Sequence, residues 1–297
     1  AEKDHTIGAI IVDVYNDKIF DFRQIQADES GSFCDLGLKY NPDGSIEEVK
    51  VNVVFGDLHG TYVDRNALNF FLKKFKNYNI YNIFLHDVFD SHSISHHIKD
   101  IAEKATRSLG GFDSLENELI ETYNIVNEIY ETLNPETLNI VKSNHDEFLD
   151  RYLSAGNYVY DAKNHRLSLS IATALFENKD VLEHAFNCVG CETKNKPWNF
   201  LQRESTFRIG GVECGSHGDL GMNGARPSIN TVEKIYGDSI TGHTHAATIQ
   251  RSVFKVGTVS KLDMQYNRGP SSWTQTCCLL YQNGQRQLIN YMPEFLK

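Results

Sequence analysis

The sequence predicts an α/β fold, because short apolar runs typical of buried strands alternate with helical patterns along most of the chain. The runs are VNVVF (51–55), IYNIFL (80–85) and TLNIV (137–141). An amphipathic helix is predicted over residues 63–75, and apolar side chains spaced by three or four residues predict a long helix from Leu115 to Leu133. Strands that alternate with helices in this way are typical of a parallel sheet covered by helices.

The beginning of the chain has a different pattern. TIGAIIVDVYNDKIFDFRQIQ predicts two strands around a turn at Asn16-Asp17, and a loop rich in Gly, Asp and Ser follows over residues 28–45. The sequence lacks an initiator Met and starts almost inside a strand. We therefore expect residues 1–50 to be a β-hairpin and loop at the end of a preceding region, with the main domain over residues 51–297.

The remaining elements complete this main domain. Residues 91–112 predict a polar loop followed by a helix, and residues 147–190 predict mostly helix, so we expect a helical insertion around residues 91–200. After it, short strands separated by Gly-rich turns are predicted at 206–214, 238–241, 247–256 and 274–292.

The composition is ordinary for a globular protein. Hydrophobic residues make up 40% and charged residues 23% of the 297 residues, and no apolar run reaches the ~20 residues of a membrane span. The six cysteines form no disulfide framework and no signal-peptide pattern opens the chain, so we expect a cytoplasmic protein without a membrane partner. The net charge of −10 and the pI of 5.6 argue against a broad basic face for nucleic acid. They do not exclude a nucleic-acid enzyme whose cations are metals.

Polar side chains follow the predicted strands at their carboxyl ends. They are Asp57 and His59, Asp87 and Asp90, Asn144 and His145, and later His217, His243 and His245. Binding crevices form outside the carboxyl ends of strands in open α/β sheets, so we expect these clusters to converge. Each cluster alone is compatible with an ordinary turn or a hydrogen-bonded core histidine. Five such clusters follow one another along the chain, and all of them offer nitrogen or oxygen donors. Together they favour a metal site.

This ordered set resembles the motifs of the calcineurin-like metallophosphoesterases, and the resemblance spans residues 52–258. It implies two β-sheets packed as a sandwich and flanked by helices, with two divalent metal ions bound at the strand ends. The implied ligands of one ion are Asp57, His59, Asp87 and His245. The implied ligands of the other are Asp87, Asn144, His217 and His243, so that Asp87 bridges the pair.

The chemistry of these ligands indicates which metals and substrates fit. Imidazole, carboxylate and amide donors without thiolate suit Mn²⁺ best, with Fe and Zn²⁺ as alternatives. Two divalent ions carry four positive charges, while Asp57, Asp87 and a bridging hydroxide carry three negative ones. The site therefore keeps about one positive charge, which suits an anionic phosphoryl group. The neutral Asn144 preserves this surplus.

The resemblance also implies a mechanism of hydrolysis. The metal-bound hydroxide attacks phosphorus, and His145 protonates the departing oxygen while Asp90 orients His145. Asp146 and Asp219 are candidates for orienting the ligand histidines, and an exposed carboxylate is the alternative for each.

Several positions depart from the family pattern or extend it. His86 and Ser143 stand where the family usually has Gly, so their roles stay open. His92, His96 and His97 lie in the insertion after the second motif, where this family often contacts substrate. Among these histidines we expect His92 to contact substrate, and a solvated face is the alternative for all three. We also expect a substrate contact from Arg226, in the Gly-rich loop after His217.

The motifs favour a phosphodiesterase over a phosphomonoesterase. GDLHG resembles the Ser/Thr protein phosphatases and the dinucleoside-tetraphosphate hydrolases, but those have Arg-Gly after the second motif, where this chain has Ser91-His92. The Asn-His-Asp form and the paired histidines of GHTH are similar to phosphodiesterases. DFRQIQ and GPSSW further make the chain resemble the early DNA-transfer nuclease-like proteins of coliphages.

This narrower resemblance implies Mn²⁺-dependent hydrolysis of DNA in the cytoplasm of an infected cell, by a homo-oligomer. Local cations would then contact DNA, namely Lys99, Lys104, Arg107, Arg226 and Arg268. Two alternatives stay open: a phosphomonoesterase, and a metal-free scaffold of the same fold.

Overall fold

The computed structural model describes residues 7–95, 100–203, 205–264 and 269–292. The side chains of Ile101, Glu103 and Lys104 also lie outside the description. The predictions for His96, His97, Lys99, Arg268 and the side chain of Lys104 therefore fall outside the described residues.

The strands and helices follow one another as the sequence pattern predicts. The strands are β1 (Gly8–Asn16), β2 (Ile19–Gln26), β3 (Phe33–Asp35), β4 (Leu38–Tyr40), β5 (Ile46–Glu48), β6 (Val51–Val54), β7 (Ile80–His86), β8 (Thr137–Val141), β9 (Trp198–Leu201), β10 (Arg208–Ile209), β11 (Val212–Glu213), β12 (Ser239–Thr241), β13 (Thr248–Gln250), β14 (Val253–Lys255), β15 (Thr276–Tyr281) and β16 (Arg286–Asn290). The helices are α1 (Arg65–Phe75), α2 (Ile101–Leu109), α3 (Leu115–Leu133), α4 (Asp146–Ser154), α5 (His165–Glu177), α6 (Val181–Cys188) and α7 (Ile229–Tyr236).

Two sheets form the centre of the molecule. The larger has the order β16-β15-β6-β7-β8-β9, and its strands from β6 to β9 are parallel. The smaller has the order β10-β11-β12-β14-β13, with β11, β12 and β14 parallel. Parallel strands bring their carboxyl ends to one edge of a sheet, so the loops after β6, β7 and β8 lie side by side.

The sheets pack face to face, and helices cover them. Neighbouring side chains of β6 point to opposite faces, so Val53 joins the core beneath the helices and Val54 joins the core between the sheets. Phe84 on β7 and Ile240 on β12 belong to the same inter-sheet core. Helices α1 and α3 to α6 contribute to the core on the other face of the larger sheet, and α7 packs against β14. The predicted α/β fold with a two-sheet sandwich flanked by helices is confirmed.

Local signals explain where the main helices begin. The Asp64 carboxylate accepts the backbone N–H groups of Asn66 and Ala67 at the start of α1. The Ser114 hydroxyl accepts the N–H of Asn117 at the start of α3. The predicted loop over residues 28–45 is partly wrong, because β3 and β4 lie in it and pair with β5 in a three-stranded antiparallel sheet. The short strand β9 was also not predicted, and it adds a fourth parallel strand next to β8.

The N-terminal strands pack against the C-terminal end of the chain. The backbone N–H of Cys34 donates to Gln285 Oε1 (3.0 Å), and Gln287 Nε2 donates to Asp35 Oδ1 (2.6 Å). Arg23 on β2 donates through Nε to the same Asp35 carboxylate (2.6 Å). The segment expected to be a helical insertion contains α2 to α6 together with β8 and β9. The division into residues 1–50 and 51–297, with its insertion, stays a prediction.

Candidate metal centre

The predicted ligands lie on loops that follow strands. Asp57 and His59 follow β6, Asp87 follows β7 and Asn144 follows β8; His217 follows β11, while His243 and His245 follow β12. The loops after β6 and β7 are bonded to each other, since the N–H of His59 donates to the carbonyl of Asp87 (2.7 Å). The structure thus brings these loops together, as the sequence pattern predicts.

The backbone at several ligands adopts a conformation that ordinary side chains disfavour. The φ angles of His59, Asp87, His243 and His245 are 54°, 44°, 72° and 54°. Such residues cost on the order of 1–3 kcal/mol each and cluster at functional sites. Gly242 is required between these loops, because a β-carbon there would collide with Asp57 Oδ1.

The ligands proposed for the first ion converge on one buried point. His245 Nε2 lies 3.1 Å from Asp57 Oδ2 and 2.9 Å from His59 Nε2, and His59 Nε2 lies 3.5 Å from Asp87 Oδ2. One atom from each of these four residues lies within 4.8 Å of the others. His59 Nδ1 is 2.8 Å from Asp90 Oδ1, and a proton on that nitrogen leaves a lone pair on Nε2 facing the cluster.

The ligands proposed for the second ion share Asp87 with the first set. His217 Nε2 lies 3.3 Å from Asp87 Oδ2, the oxygen that also faces His59. The rings of His217 and His243 pack edge to face with centroids 5.3 Å apart. The backbone N–H of His243 donates to Asp57 Oδ2 (2.8 Å), which ties the two halves together.

Many of these buried atoms have no hydrogen-bond partner among the residues that the structure describes. They are Asp57 Oδ1, Asp87 Oδ1, Asn144 Oδ1, His217 Nδ1 and Nε2, and His245 Nδ1. A buried polar atom left without a partner costs about 1–3 kcal/mol, so the cluster is favourable only if something binds these atoms. Imidazole nitrogens with carboxylate and amide oxygens are a suitable donor set for divalent metals. The residues present fit metal ions, and the buried Asp/His cluster can bind them.

The electrostatics of the cluster agree with cation binding. Burial opposes protonation of His217, but Asp87 and Asp57 outweigh it and raise the pKa of His217 to about 9. Burial likewise opposes ionisation of Asp87, and the surrounding histidines hold its pKa well below the usual range. The negative potential that attracts a proton to His217 also attracts a metal cation.

His145 and Asp90 lie beside the first half of the cluster. His145 Nδ1 is 3.2 Å from Asp90 Oδ1, so this carboxylate contacts both His145 and His59. His145 remains 23% exposed. Burial opposes its protonation, but Asp87 and Asp90 raise the pKa of His145 to about 10. A protonated His145 next to the cluster can act as a proton donor, and this catalytic role stays a prediction.

The two positions that replace glycine have different surroundings. Ser143 Oγ accepts the N–H groups of His145 (3.2 Å) and Asp146 (3.1 Å), which fixes the start of α4. His86 is fully buried, its ring nitrogens have no hydrogen-bond partner among the described residues, and burial lowers its pKa to about 4. Neither residue has a positive φ, so neither position requires glycine.

Asp146 and Asp219 contact groups other than the ligand histidines. Asp146 accepts the backbone N–H groups of Phe89 (2.9 Å) and Ser143 (3.0 Å), which joins the loops after β7 and β8. Asp219 binds Arg203, whose Nη1 donates to it at 2.7 Å. Burial acts against ionisation of Asp219, yet Arg203 and the nearby histidines lower its pKa.

Arg203 is a residue near the site that the sequence analysis missed. It follows the unpredicted strand β9, as the ligands follow their own strands, and this position is the signal that could have found it. Its charge interacts with Asp87. Both Asp219 and Glu147 contact its guanidinium, the latter with 3.1 Å between Nε and Oε1.

The two predicted substrate contacts lie in different environments. His92 is only 8% exposed, its Nε2 is 2.8 Å from Thr61 Oγ1 and its Nδ1 is 3.1 Å from the carbonyl of Phe112. It is therefore not on a solvated face. Arg226 is exposed in the loop after His217. A contact of either residue with substrate stays a prediction.

Comparisons with known proteins give a phage relative. No protein-family model matches the chain. Protein A1 of Escherichia phage T5 is 36% identical over 311 residues, a match that covers 98% of this chain and 55% of that protein. The chain thus spans about half the length of the curated relative that it matches. A solved structure of a single mutant of Vps29 from Entamoeba histolytica aligns with 12% identity and a TM-score of 0.37, over 82% of this chain and 99% of Vps29.

The search for membrane-spanning helices has a negative result. No helix among the described residues is long and apolar enough to cross a membrane.

Proposed function

We propose that this chain is a metal-dependent phosphodiesterase of the calcineurin-like metallophosphoesterase kind, and that DNA is its substrate. One observation carries the proposal: the Asp87 carboxylate oxygen lies 3.5 Å from His59 Nε2 and 3.3 Å from His217 Nε2, between two sets of ligands. A shared carboxylate of this kind is what a pair of divalent ions requires. The similarity to protein A1 of Escherichia phage T5 supports the phage link that the sequence motifs indicate.

The protein's contribution begins with holding the ions. Asp57, His59, Asp87 and His245 would hold one ion, and Asp87, Asn144, His217 and His243 would hold the other. When bound, the ions lower the pKa of a water molecule and offset charge on the phosphate; we propose Mn²⁺, with Fe and Zn²⁺ as alternatives. Asp90 fixes the tautomer of His59, so the lone pair of Nε2 points at the cluster.

His145 completes the reaction as a general acid. Its Nδ1 contacts Asp90, which leaves Nε2 as the atom that donates a proton to the departing oxygen. The same carboxylate contacts His59, so the acid is held at a fixed place relative to the ligands. General acid catalysis of this kind contributes about 10²–10⁴-fold to rate.

The charges around the cluster favour a diester over a monoester. A terminal phosphate carries two charges and is often held by a free arginine, because the guanidinium fork matches two oxygens. The guanidinium of Arg203 is already bound by Asp219 and Glu147. A phosphodiester carries a single charge, which the surplus of about one positive charge at the metal pair balances.

A substrate panel tests the proposal. Linear duplex DNA, single-stranded DNA, p-nitrophenyl phosphate and a phosphopeptide are incubated with the protein and Mn²⁺, with and without EDTA. We expect DNA cleavage that EDTA abolishes, with monoester turnover at least about tenfold weaker, since one lost charge-assisted contact is worth about 1.5–3 kcal/mol. Because DNA binding depends on local cations such as Arg107 and Arg226, cleavage should fall steeply between about 50 and 200 mM salt.

Other results would contradict the proposal. Robust monoester hydrolysis with intact DNA would favour the phosphomonoesterase alternative. A protein that binds no metal and hydrolyses none of the four substrates would favour a scaffold. The proposal also places the enzyme in the cytoplasm of an infected cell as a homo-oligomer. Light scattering after size-exclusion chromatography tests the oligomeric state.

A further inference from the structure

Trp273 lies directly beside a proposed metal ligand. Its ring packs edge to face on the imidazole of His245, with centroids 4.2 Å apart and planes at 73°. Trp273 belongs to the GPSSW segment that precedes β15, and it is half-buried. The same His245 ring faces Asp57 and His59 through its Nε2 atom. A group bound at the first ion would therefore lie one ring away from the indole.

The backbone around Trp273 is bonded to the ligand loops. The N–H of Thr274 donates to the carbonyl of His245 (2.8 Å), and the Thr274 hydroxyl accepts the N–H of Ala247 (2.9 Å). Thr258 links the other side: its N–H donates to the carbonyl of Thr274 (2.8 Å) and its hydroxyl donates to the carbonyl of Asp57 (2.7 Å). The bonds that place Asp57 and His245 therefore also hold the backbone next to Trp273 at the edge of the centre.

We propose that Trp273 stacks on the nucleobase next to the scissile phosphate. This inference rests on the proposed function. A large flat ring fixed beside the bound phosphate can stack on any base, because every base has a π-face. Such a contact recognises nucleic acid without recognising its sequence, and a simple phosphate ester cannot make it. Trp273 would then act mainly on substrate binding, and the ligands and His145 on the chemistry.

The alternative role for Trp273 is packing that only supports His245. Substitutions in the protein, combined with removal of a base from the DNA, distinguish stacking from packing. Wild type, Trp273→Ala and Trp273→Phe are compared on a defined oligonucleotide and on copies with one abasic nucleotide beside the cleavage point. Phe176→Ala is the matched control, because Phe176 is 89% exposed on α5, which contributes no residue to the centre. Metal content is measured for every variant.

Stacking predicts a specific pattern. Trp273→Ala should raise KM for the intact oligonucleotide roughly 5- to 150-fold, the equivalent of the ~1–3 kcal/mol of one stacked base, with kcat and metal content nearly unchanged. Trp273→Phe and the control should stay close to wild type. One abasic position should weaken cleavage by wild type and have almost no further effect on Trp273→Ala, because the partner ring is already gone.

A fluorescence measurement gives a readout independent of turnover. The chain has two tryptophans, and Trp198 is buried in the core at 7% exposure. Adding oligonucleotide to the His145→Ala variant with Mn²⁺ should quench the emission of Trp273. The quenching should be absent from the double variant His145→Ala, Trp273→Phe.

The outcomes distinguish failure of the inference from failure of the proposed function. If wild type cleaves DNA and Trp273→Ala has the same KM, or if the abasic penalty is equal in both proteins, stacking is wrong and the nuclease proposal stands. If Trp273→Ala loses metal, Trp273 only packs against His245, and stacking is likewise rejected. If wild type neither binds nor cleaves the oligonucleotide, both proposals fail.

Discussion

The two halves of the proposed metal centre are assembled to different degrees. The first half consists of four buried residues, Asp57, His59, Asp87 and His245. One atom from each of them lies within 4.8 Å of the corresponding atoms of the other three. In the second half, His217 is buried and contacts Asp87, while Asn144 and His243 are only partly buried. A ligand set that is already in place costs less to order when an ion binds. The comparison therefore indicates that the first ion binds more tightly than the second.

Hydrogen bonds between loops are present in both halves of the centre. In the first half, the N–H groups of Leu58 and His59 donate to the carbonyls of His86 and Asp87 at 3.0 and 2.7 Å, which joins the loops after β6 and β7. In the second half, His243 lies on a tight turn in which the N–H of Thr244 bonds to the carbonyl of Gly242 (2.9 Å). The N–H of Gly242 also donates to the carbonyl of His217 (2.9 Å) and the N–H of His243 to Asp57 Oδ2 (2.8 Å), so the second half differs from the first by the partial burial of Asn144 and His243.

The largest effect is expected at Asp87, the residue that belongs to both halves. Asp87→Asn removes the shared carboxylate and one negative charge, so metal content should fall from two ions to one or none. Activity should fall by more than the ~10²–10³-fold typical of losing one electrostatic contact. Asp150→Asn is the matched control, since Asp150 lies on α4 and its carboxylate binds Lys142. Metal analysis and DNA cleavage check both variants; two bound ions and near-normal activity in Asp87→Asn would contradict the shared-carboxylate assignment.

A smaller effect is expected at His145, which is not a proposed ligand and contacts the centre through Asp90 and through the ring of His59, with centroids 4.7 Å apart. His145→Ala should keep both ions and lose about 10²–10⁴-fold in rate, the usual range for general acid–base catalysis. His165→Ala is the control, because His165 lies on α5 and bonds to the carbonyl of Tyr158. Single-turnover cleavage and metal analysis measure the outcome. Loss of metal in His145→Ala would make it a ligand and require new assignments.

The ligands that follow the parallel strands β6, β7 and β8 were the easier ones to predict from sequence. Asp57, His59 and Asp87 directly follow short apolar strands, and parallel pairing alone brings such positions together. The ordered motifs then added His217, His243 and His245. The fold class followed from the same alternation of strands and helices.

Features that depend on distant pairing could not be predicted. Arg203 reaches the site because β9 pairs with β8. The four residues of β9, WNFL, include no β-branched residue, unlike the equally short VNVV of β6. Trp273 lies beside His245 because Thr258 bridges to Gln275, a contact that residue spacing does not reveal. The burial of His92 depends on Thr61 and Phe112, which lie on other segments of the chain.

The most direct test is calorimetric titration of the metal-free protein with Mn²⁺, for wild type, His59→Ala and His243→Ala. Wild type should bind two ions per chain with unequal affinities. His243→Ala should keep the tight ion and lose the weaker one, whereas His59→Ala should lose the tight ion. Wild type that binds no ion or one ion, or variants that lose the same ion, would contradict a two-ion centre whose first half is already assembled.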